Sequence, residues 1–239
     1  MKMEMNGMNN IWIHQTWNHG LGNFINLTPA IKMMSDRFGK RVLVYFDLRF
    51  VRQCFLDCPF IEILETKPAK QSLFGSWLIN ARNDCPDYIN AYREVCKSIP
   101  LEGELPHTYV DQAKRIKVKE KDYTLFIRGA GNESNDYLIN KMPDDSYYRE
   151  YMKGNCIFTG SENDQDRAGH LFDSMNYYVG NIRESLALIR EAKLVVSNDS
   201  GLAHAAGAMN KNMVILWKNT SLPKNANPGK NTMIKMCHG

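Results

Sequence analysis

The chain has 239 residues, 44% of them hydrophobic, which suits one sizeable domain or two small ones and gives no reason to read disorder. Its 30 Lys and Arg stand against 26 Asp and Glu, and a formal net charge of only +4 excludes a dedicated nucleic-acid surface while leaving a weakly basic face for an anionic membrane or a phosphorylated substrate. The first ten residues are polar rather than signal-like, no run approaches the ~20 apolar residues of a membrane span, and the six cysteines form neither a Cys-x-x-Cys pair nor a zinc-finger spacing, so reduced thiols in a cytoplasmic protein are expected.

In chain order, the apolar-rich run Ile11 to Gln15 predicts a strand, and the glycines within Trp17 to Gly22 predict a turn. Phe24, Leu27, Ile31, Met34 and Phe38 then recur at helical spacing, and Gly39 ends the helix. Pro29 leaves two versions open: it opens a helix capped by Thr28, or it kinks a longer helix that begins near Asn23. Arg41 to Phe46 and Phe60 to Leu64 read as strands, with a short helix at Leu48 to Leu56 between them. Ser72 to Asn80 reads as a further strand, and Tyr88 to Ile99 as a helix closed by Pro100.

Between Pro100 and Asp122 the composition changes to prolines, a glycine and then the basic run Lys114, Arg115, Lys117, Lys119, Lys121. A solvated linker or strand edge explains this run without nucleic acid, and it sets the expected division into residues 1–113 and 114–239. Beyond it the alternation resumes. Tyr123 to Ile127 is a predicted strand, Gly129 to Asn132 a glycine-rich turn, Asp145 to Met152 a helix, and Cys156 to Thr159 and Tyr177 to Val179 strands. Asn181 and Glu184 take capping-box positions before a helix whose buried face is Ile182, Leu186 and Ile189. Strands at Leu194 to Ser197 and Met213 to Trp217 complete a pattern that implies α/β architecture with mostly parallel sheets.

The stretch most expressive of chemistry is Val195 to Gly207, in which an apolar run meets the polar turn Ser197 to Gly201 and passes into a small-residue helix. A helix beginning there points unpaired N–H groups and a positive dipole end at whatever lies above the strand, so anions collect. Ser200 and Gly201 are the expected backbone donors to a phosphate, and the absent Cβ of Gly201 allows close approach. Asp199 reads equally as a helix cap or a ligand contact, and His204 as a contact or a half-buried histidine. Asp164-Gln165-Asp166 has the form of a metal-binding Asp-x-Asp, and Gly129-Ala-Gly131 that of a nicotinamide loop lacking its third glycine.

Asp199, Ser200, Gly201, Leu202 and His204 match position by position the Asp-Ser/Thr-Gly-Leu-x-His run of glycosyltransferase family 9, the heptosyltransferase-like enzymes, which this chain resembles. Gly20 to Ile31 is similar to the family's opening Gly-Asp-x-x-x-x-x-Pro-Ala segment, and Gly160 to Ala168 to its acidic run ending in Arg-Ala. The resemblance implies a shortened GT-B-like fold of two Rossmann-like domains. The N-terminal domain would take a carbohydrate or glycolipid acceptor and the C-terminal one a nucleotide-diphosphate sugar. Transfer would be inverting, with no metal and no cofactor beyond the donor itself, at a cytoplasmic and membrane-peripheral location. It makes Gly129, Gly131, Asn132, Lys141, Asp164, Asp199, Ser200, Gly201 and His204 donor contacts, with Asp164 or Asp166 at the ribose; Lys141 stands one residue nearer Pro143 than the family's Lys-x-x-Pro segment has it.

Asn23 stands where the family has the Asp that takes the acceptor's proton, and an amide cannot take it. Asn23 then orients the acceptor while His19, His14 or Asp47 is the base, with His19 favoured because it shares the loop and titrates near neutrality. The alternative is a nucleotide-sugar-binding protein of the same fold, impaired in transfer. An epimerase is a third reading, for which no buried acid/base set is apparent.

Overall fold

A computed structural model describes residues 12–15, 20–67, 107–129, 142–162, 164–165, 176–218 and 231–237. The chain divides into two compact units, Met1–Thr108 and Tyr109–Gly239. The predicted strand Ser72 to Asn80 and helix Tyr88 to Ile99 lie outside the described residues.

In the first unit, β1 (Trp12–Gln15), β2 (Val42–Phe46) and β3 (Ile61–Ile63) form a parallel sheet in that order. α1 (Leu21–Phe38) connects the first two strands, and the short α2 (Arg49–Gln53) follows β2. Phe24 of α1 meets Phe46 and Phe55 edge-on at 4.9 Å between ring centroids, which seats the helix on the sheet.

α1 begins at Leu21, so the expected turn reaches less far than its glycines suggested. Leu21, Phe24 and Ile25 are all buried, and this packing outweighs the poor helix propensity of Gly22. Pro29 sits inside the helix without ending it. Proline has no N–H for the carbonyl four residues back, which here is Ile25, but the Thr28 hydroxyl donates to that oxygen at 2.6 Å. A substitute donor one residue before the proline lets the helix run on to Gly39, whose φ of 62° closes it in the left-handed conformation.

The second unit carries β4 (Thr124–Ile127), α3 (Asp145–Arg149), β5 (Cys156–Gly160), β6 (Asn176–Val179), α4 (Ile182–Glu191), β7 (Leu194–Asn198), α5 (Gly201–Ala208), β8 (Met213–Trp217) and β9 (Thr232–Met236). All its strand pairs are parallel, in the order β6-β5-β4-β7-β8-β9. Phe126, Phe158, Val196, Val214 and Leu216 of the central strands make one core cluster with Tyr148 and Cys237. The capping box on α4 is present: Asn181 accepts from the N–H groups of Arg183 and Glu184, and Glu184 accepts from the N–H of Asn181.

Residues 109–116 belong to the second unit, and two arginines of α4 fasten them. Arg190 donates to the carbonyls of Gln112, Ala113 and Ile116 at 2.6–2.9 Å, and Arg183 pairs with the buried Asp111 at 3.2 Å. No described helix is long and apolar enough to cross a membrane.

Candidate functional site

In the second unit the chain winds outward from β4 through β5 to β6, then returns to lay β7, β8 and β9 on the other side of β4. The order reverses between β4 and β7. In open parallel sheets the carboxyl ends of the two strands at such a reversal flank a crevice where ligands sit.

Asn198, the last residue of β7, is fully buried there. Its Oδ1 accepts from the N–H of Gly129 and its Nδ2 donates to the Gly129 carbonyl, both at 3.2 Å. A primary amide is the side chain that offers a donor and an acceptor together, so Asn198 continues the β4–β7 ladder beyond Ile127 and Ser197 by side chain. Gly129 is thereby fixed. A Cβ on it would lie 2.3 Å from the Asp164 carboxylate, so the absence of a side chain at Gly129 is what lets that carboxylate lie so close.

Asp164 follows β5 and is itself held. It accepts from the N–H and the hydroxyl of Ser161 at 2.8 Å each, and its own N–H donates to the Ser161 hydroxyl at 3.2 Å. This reciprocal arrangement is that of a capping box. The structure thus gathers Gly129, Asp164 and the β7 turn at the carboxyl ends of three adjacent strands.

The cap of α5 is Ser200, which excludes the reading of Asp199 as its N-cap. Ser200 has φ −148° and ψ 161°, and its hydroxyl accepts from the Ala203 N–H at 3.2 Å and meets the Ser197 hydroxyl at 3.2 Å. Gly201 and Leu202 are the first two residues of the helix, whose N–H groups have no carbonyl within it to meet. Ala203, Ala205, Ala206 and Gly207 are buried, so α5 lies close on the sheet and its start stays at the strand ends. His204 turns back along the first turn until Nε2 is 3.9 Å from the Asp199 carboxylate.

Two residues at this edge escaped sequence reasoning. Asn198 could have been suspected as a polar residue closing an apolar strand. Arg128 directly follows β4, pairs with Asp145 at 2.9 Å and stands 5.7 Å over the Tyr148 ring. Burial raises the phenol pKa of Tyr148 well above its ordinary value. Gly131, Asn132, Lys141 and Asp166 lie outside the described residues.

In the first unit, Asn23 occupies the third position of α1 with its side chain exposed, and His19 lies outside the described residues. The other two base candidates meet each other. His14 Nε2 and Asp47 Oδ1 are 2.8 Å apart, at the carboxyl ends of the neighbouring strands β1 and β2.

These features define a class: an α/β protein with all-parallel sheets, one of them in the doubly wound order of a Rossmann fold. The family is narrower. The profile of glycosyltransferase family 9 (heptosyltransferase) matches residues 93–238, and the chain belongs to that family. No curated protein matches it. Among solved structures, E. coli ADP-heptose lps heptosyltransferase II is similar at 14% identity and a TM-score of 0.65, over 95% of this chain and 90% of that one. E. coli heptosyltransferase WaaC with ADP-2-deoxy-2-fluoro heptose gives 15% and 0.65 over 94% and 92%. A family 9 glycosyl transferase from Veillonella parvula DSM 2008 gives 12% and 0.69 over 98% and 87%. At such identities the likeness concerns the fold, which is the GT-B-like fold of these heptosyltransferase structures.

Proposed function

We propose that the protein transfers a sugar, heptosyl or hexosyl, from a nucleotide-diphosphate donor to a carbohydrate or glycolipid acceptor, with inversion and without a metal. The observation that carries this reading is the turn at the end of β7. Ser200 caps α5, Asn198 ties the turn to Gly129, and the N–H groups of Gly201 and Leu202 open at the strand-order reversal. Such a turn neutralises a diphosphate through backbone donors and a helix dipole. The leaving nucleoside diphosphate gains charge as the glycosidic C–O bond breaks, and donors fixed beforehand stabilise it without reorganising.

Gly129, Gly131, Asn132 and Lys141 would border the donor, Asp164 its ribose, and Asp199 and His204 the diphosphate. The first unit would hold the acceptor, with Asn23 orienting its hydroxyl. We assign the protein to the cytoplasm, with peripheral contact to a membrane that carries a glycolipid acceptor.

Donor binding is measured as thermal stabilisation by ADP and by ADP-heptose, in chelator and with Mg²⁺. A donor at a hundred times its Kd should add about 2.7 kcal/mol to stability, equally in chelator. Gly201→Val should remove the effect in a folded protein by filling the space at the turn. Stabilisation that needs Mg²⁺ would instead favour the Asp-x-Asp reading.

A second reading rests on Asn23: the exposed amide marks a nucleotide-sugar-binding protein impaired in transfer. Asn23→Asp should then create or strongly raise donor turnover.

A further inference from the structure

We propose that Asp47, positioned by His14, is the base that takes the proton from the acceptor hydroxyl. The proposal rests on the transferase reading and supplies the group which Asn23 cannot be. Asp47 directly follows β2 and His14 is the penultimate residue of β1, in parallel and adjacent strands, so the two side chains meet at the strand ends.

Several contacts hold the pair. His14 is paired in register with Tyr45, and the two rings lie 5.5 Å apart between centroids. The Asp47 N–H donates to the Gln15 carbonyl at 2.9 Å, and Gln15 Oε1 accepts the Leu48 N–H at 3.1 Å, which fixes the turn that carries Asp47. Gln15 is fully buried, so this turn is anchored from within the sheet.

The chemistry assigns the roles. A carboxylate only accepts, so the 2.8 Å contact is a His14 Nε2–H donated to Asp47 Oδ1. That bond orients the carboxylate and leaves Oδ2 as the second accepting oxygen. Asp47 is also the more open partner, with 14% of its side chain accessible against 9% for His14. It stands beyond the end of its strand, whereas His14 stands one residue inside its own. Asp47 is therefore the base and His14 the positioning residue.

In the step, the acceptor oxygen forms a bond to the anomeric carbon as the bond from that carbon to the donor phosphate breaks. The hydroxyl proton passes to Asp47 Oδ2. The nucleoside diphosphate leaves with the electron pair of the broken bond, and the neutral carboxyl returns its proton to solvent. No oxidant, metal or second cofactor enters.

The test uses the full chain with ADP-heptose as probe and reads ADP release, with water or an added sugar as acceptor, beside the affinity for ADP-heptose. Asp47→Asn keeps an oxygen for His14 to donate to, so the geometry survives while proton acceptance is lost. Turnover should fall by about 10²–10⁴ at unchanged donor affinity. His14→Gln retains an N–H donor and should keep more activity than His14→Leu, a graded rescue that a purely structural role would not give in two equally folded proteins. If Asp47→Asn keeps wild-type turnover, the proposal is overturned, and a loss in His19→Ala alone would move the base to that loop. If the wild type binds ADP-heptose and releases no ADP in any condition, the transferase reading itself fails and the base assignment falls with it.

Discussion

The starts of α1 and α5 both follow the carboxyl end of a parallel strand, and they are finished in opposite ways. At α5 a side chain closes the helix: Ser200 caps it, and the Asn198 amide ties the preceding strand end to Gly129. At α1 the cap is Gly20, with φ −67° and ψ 180° and no side-chain bond, and the polar side chains described near that edge include Asn23, His14 and Asp47. In the second unit, polar side chains serve to aim backbone donors. In the first, the side chains are themselves the available chemistry. A diphosphate needs fixed N–H groups and an acceptor hydroxyl needs a group that takes a proton, so the contrast fits a division of labour between units.

The largest effect should come from breaking the backbone-aiming device. Asn198→Leu leaves the Gly129 N–H and carbonyl without their partner in a buried site, at a cost on the order of 3 kcal/mol. Calorimetric unfolding should show that loss, and stabilisation by ADP should vanish with it. Retained ADP binding in a destabilised Asn198→Leu would separate the clamp from the site.

Next in size is the contact that Gly129 allows. Gly129→Ala puts a Cβ 2.3 Å from the Asp164 carboxylate, which must shift and give up its bonds from Ser161, at a cost of about 1–2 kcal/mol. Asp164→Ala removes the obstructing atoms, so the double variant should be more stable than the sum of the singles by about 0.5–3 kcal/mol. Additive effects would mean that the two residues are not in contact.

The first unit offers a repair of the same kind inside its helix. Thr28→Val removes the hydroxyl that serves the Ile25 carbonyl and should cost about 1–2 kcal/mol. Adding Pro29→Ala restores a backbone N–H to that carbonyl and should recover most of the loss. No recovery would show that the hydroxyl does not replace the missing helical bond.

What was legible in the sequence follows from the range of the interactions involved. Apolar runs and helical spacing located the described strands up to β8 and helices α1 to α5 within a few residues, because those signals are local. β9 has no such signal: Thr232 to Met236 is an edge strand that leaves Met233 and Met236 exposed, and Lys235 breaks the apolar run that marks the buried strands. Of the two versions that Pro29 leaves open, the longer helix beginning near Asn23 is the one found, and it starts two residues earlier because burial of Leu21 is a tertiary fact that two nearby glycines conceal. The Asn198–Gly129 clamp joins residues 69 apart in sequence and becomes visible only when β7 is laid beside β4. The Asp-Ser-Gly-Leu-Ala-His run was legible as a motif, yet the division of work within it was not, since choosing Ser200 over Asp199 as the cap depends on backbone angles.

The smallest expected effect addresses the open start of α1. A Cβ at Gly20 meets nothing within 4 Å among the described residues, and its extended backbone angles suit serine. Gly20→Ser should therefore provide the missing cap and stabilise the protein by a few tenths of a kcal/mol, since glycine at a cap is only slightly worse than serine. Ser200→Gly, the mirror change at α5, should lose a similar amount. The pair is informative because function should respond in opposite places. If the first-turn N–H groups of α1 are kept open for an acceptor, a serine hydroxyl competing for them should raise the acceptor KM in Gly20→Ser and leave ADP affinity alone. Ser200→Gly, by loosening the turn that aims the donors, should weaken ADP and leave the acceptor KM alone. An acceptor KM unmoved by a demonstrably stabilising Gly20→Ser would make that glycine a matter of chain geometry, and would leave the side chains as the working part of the first unit.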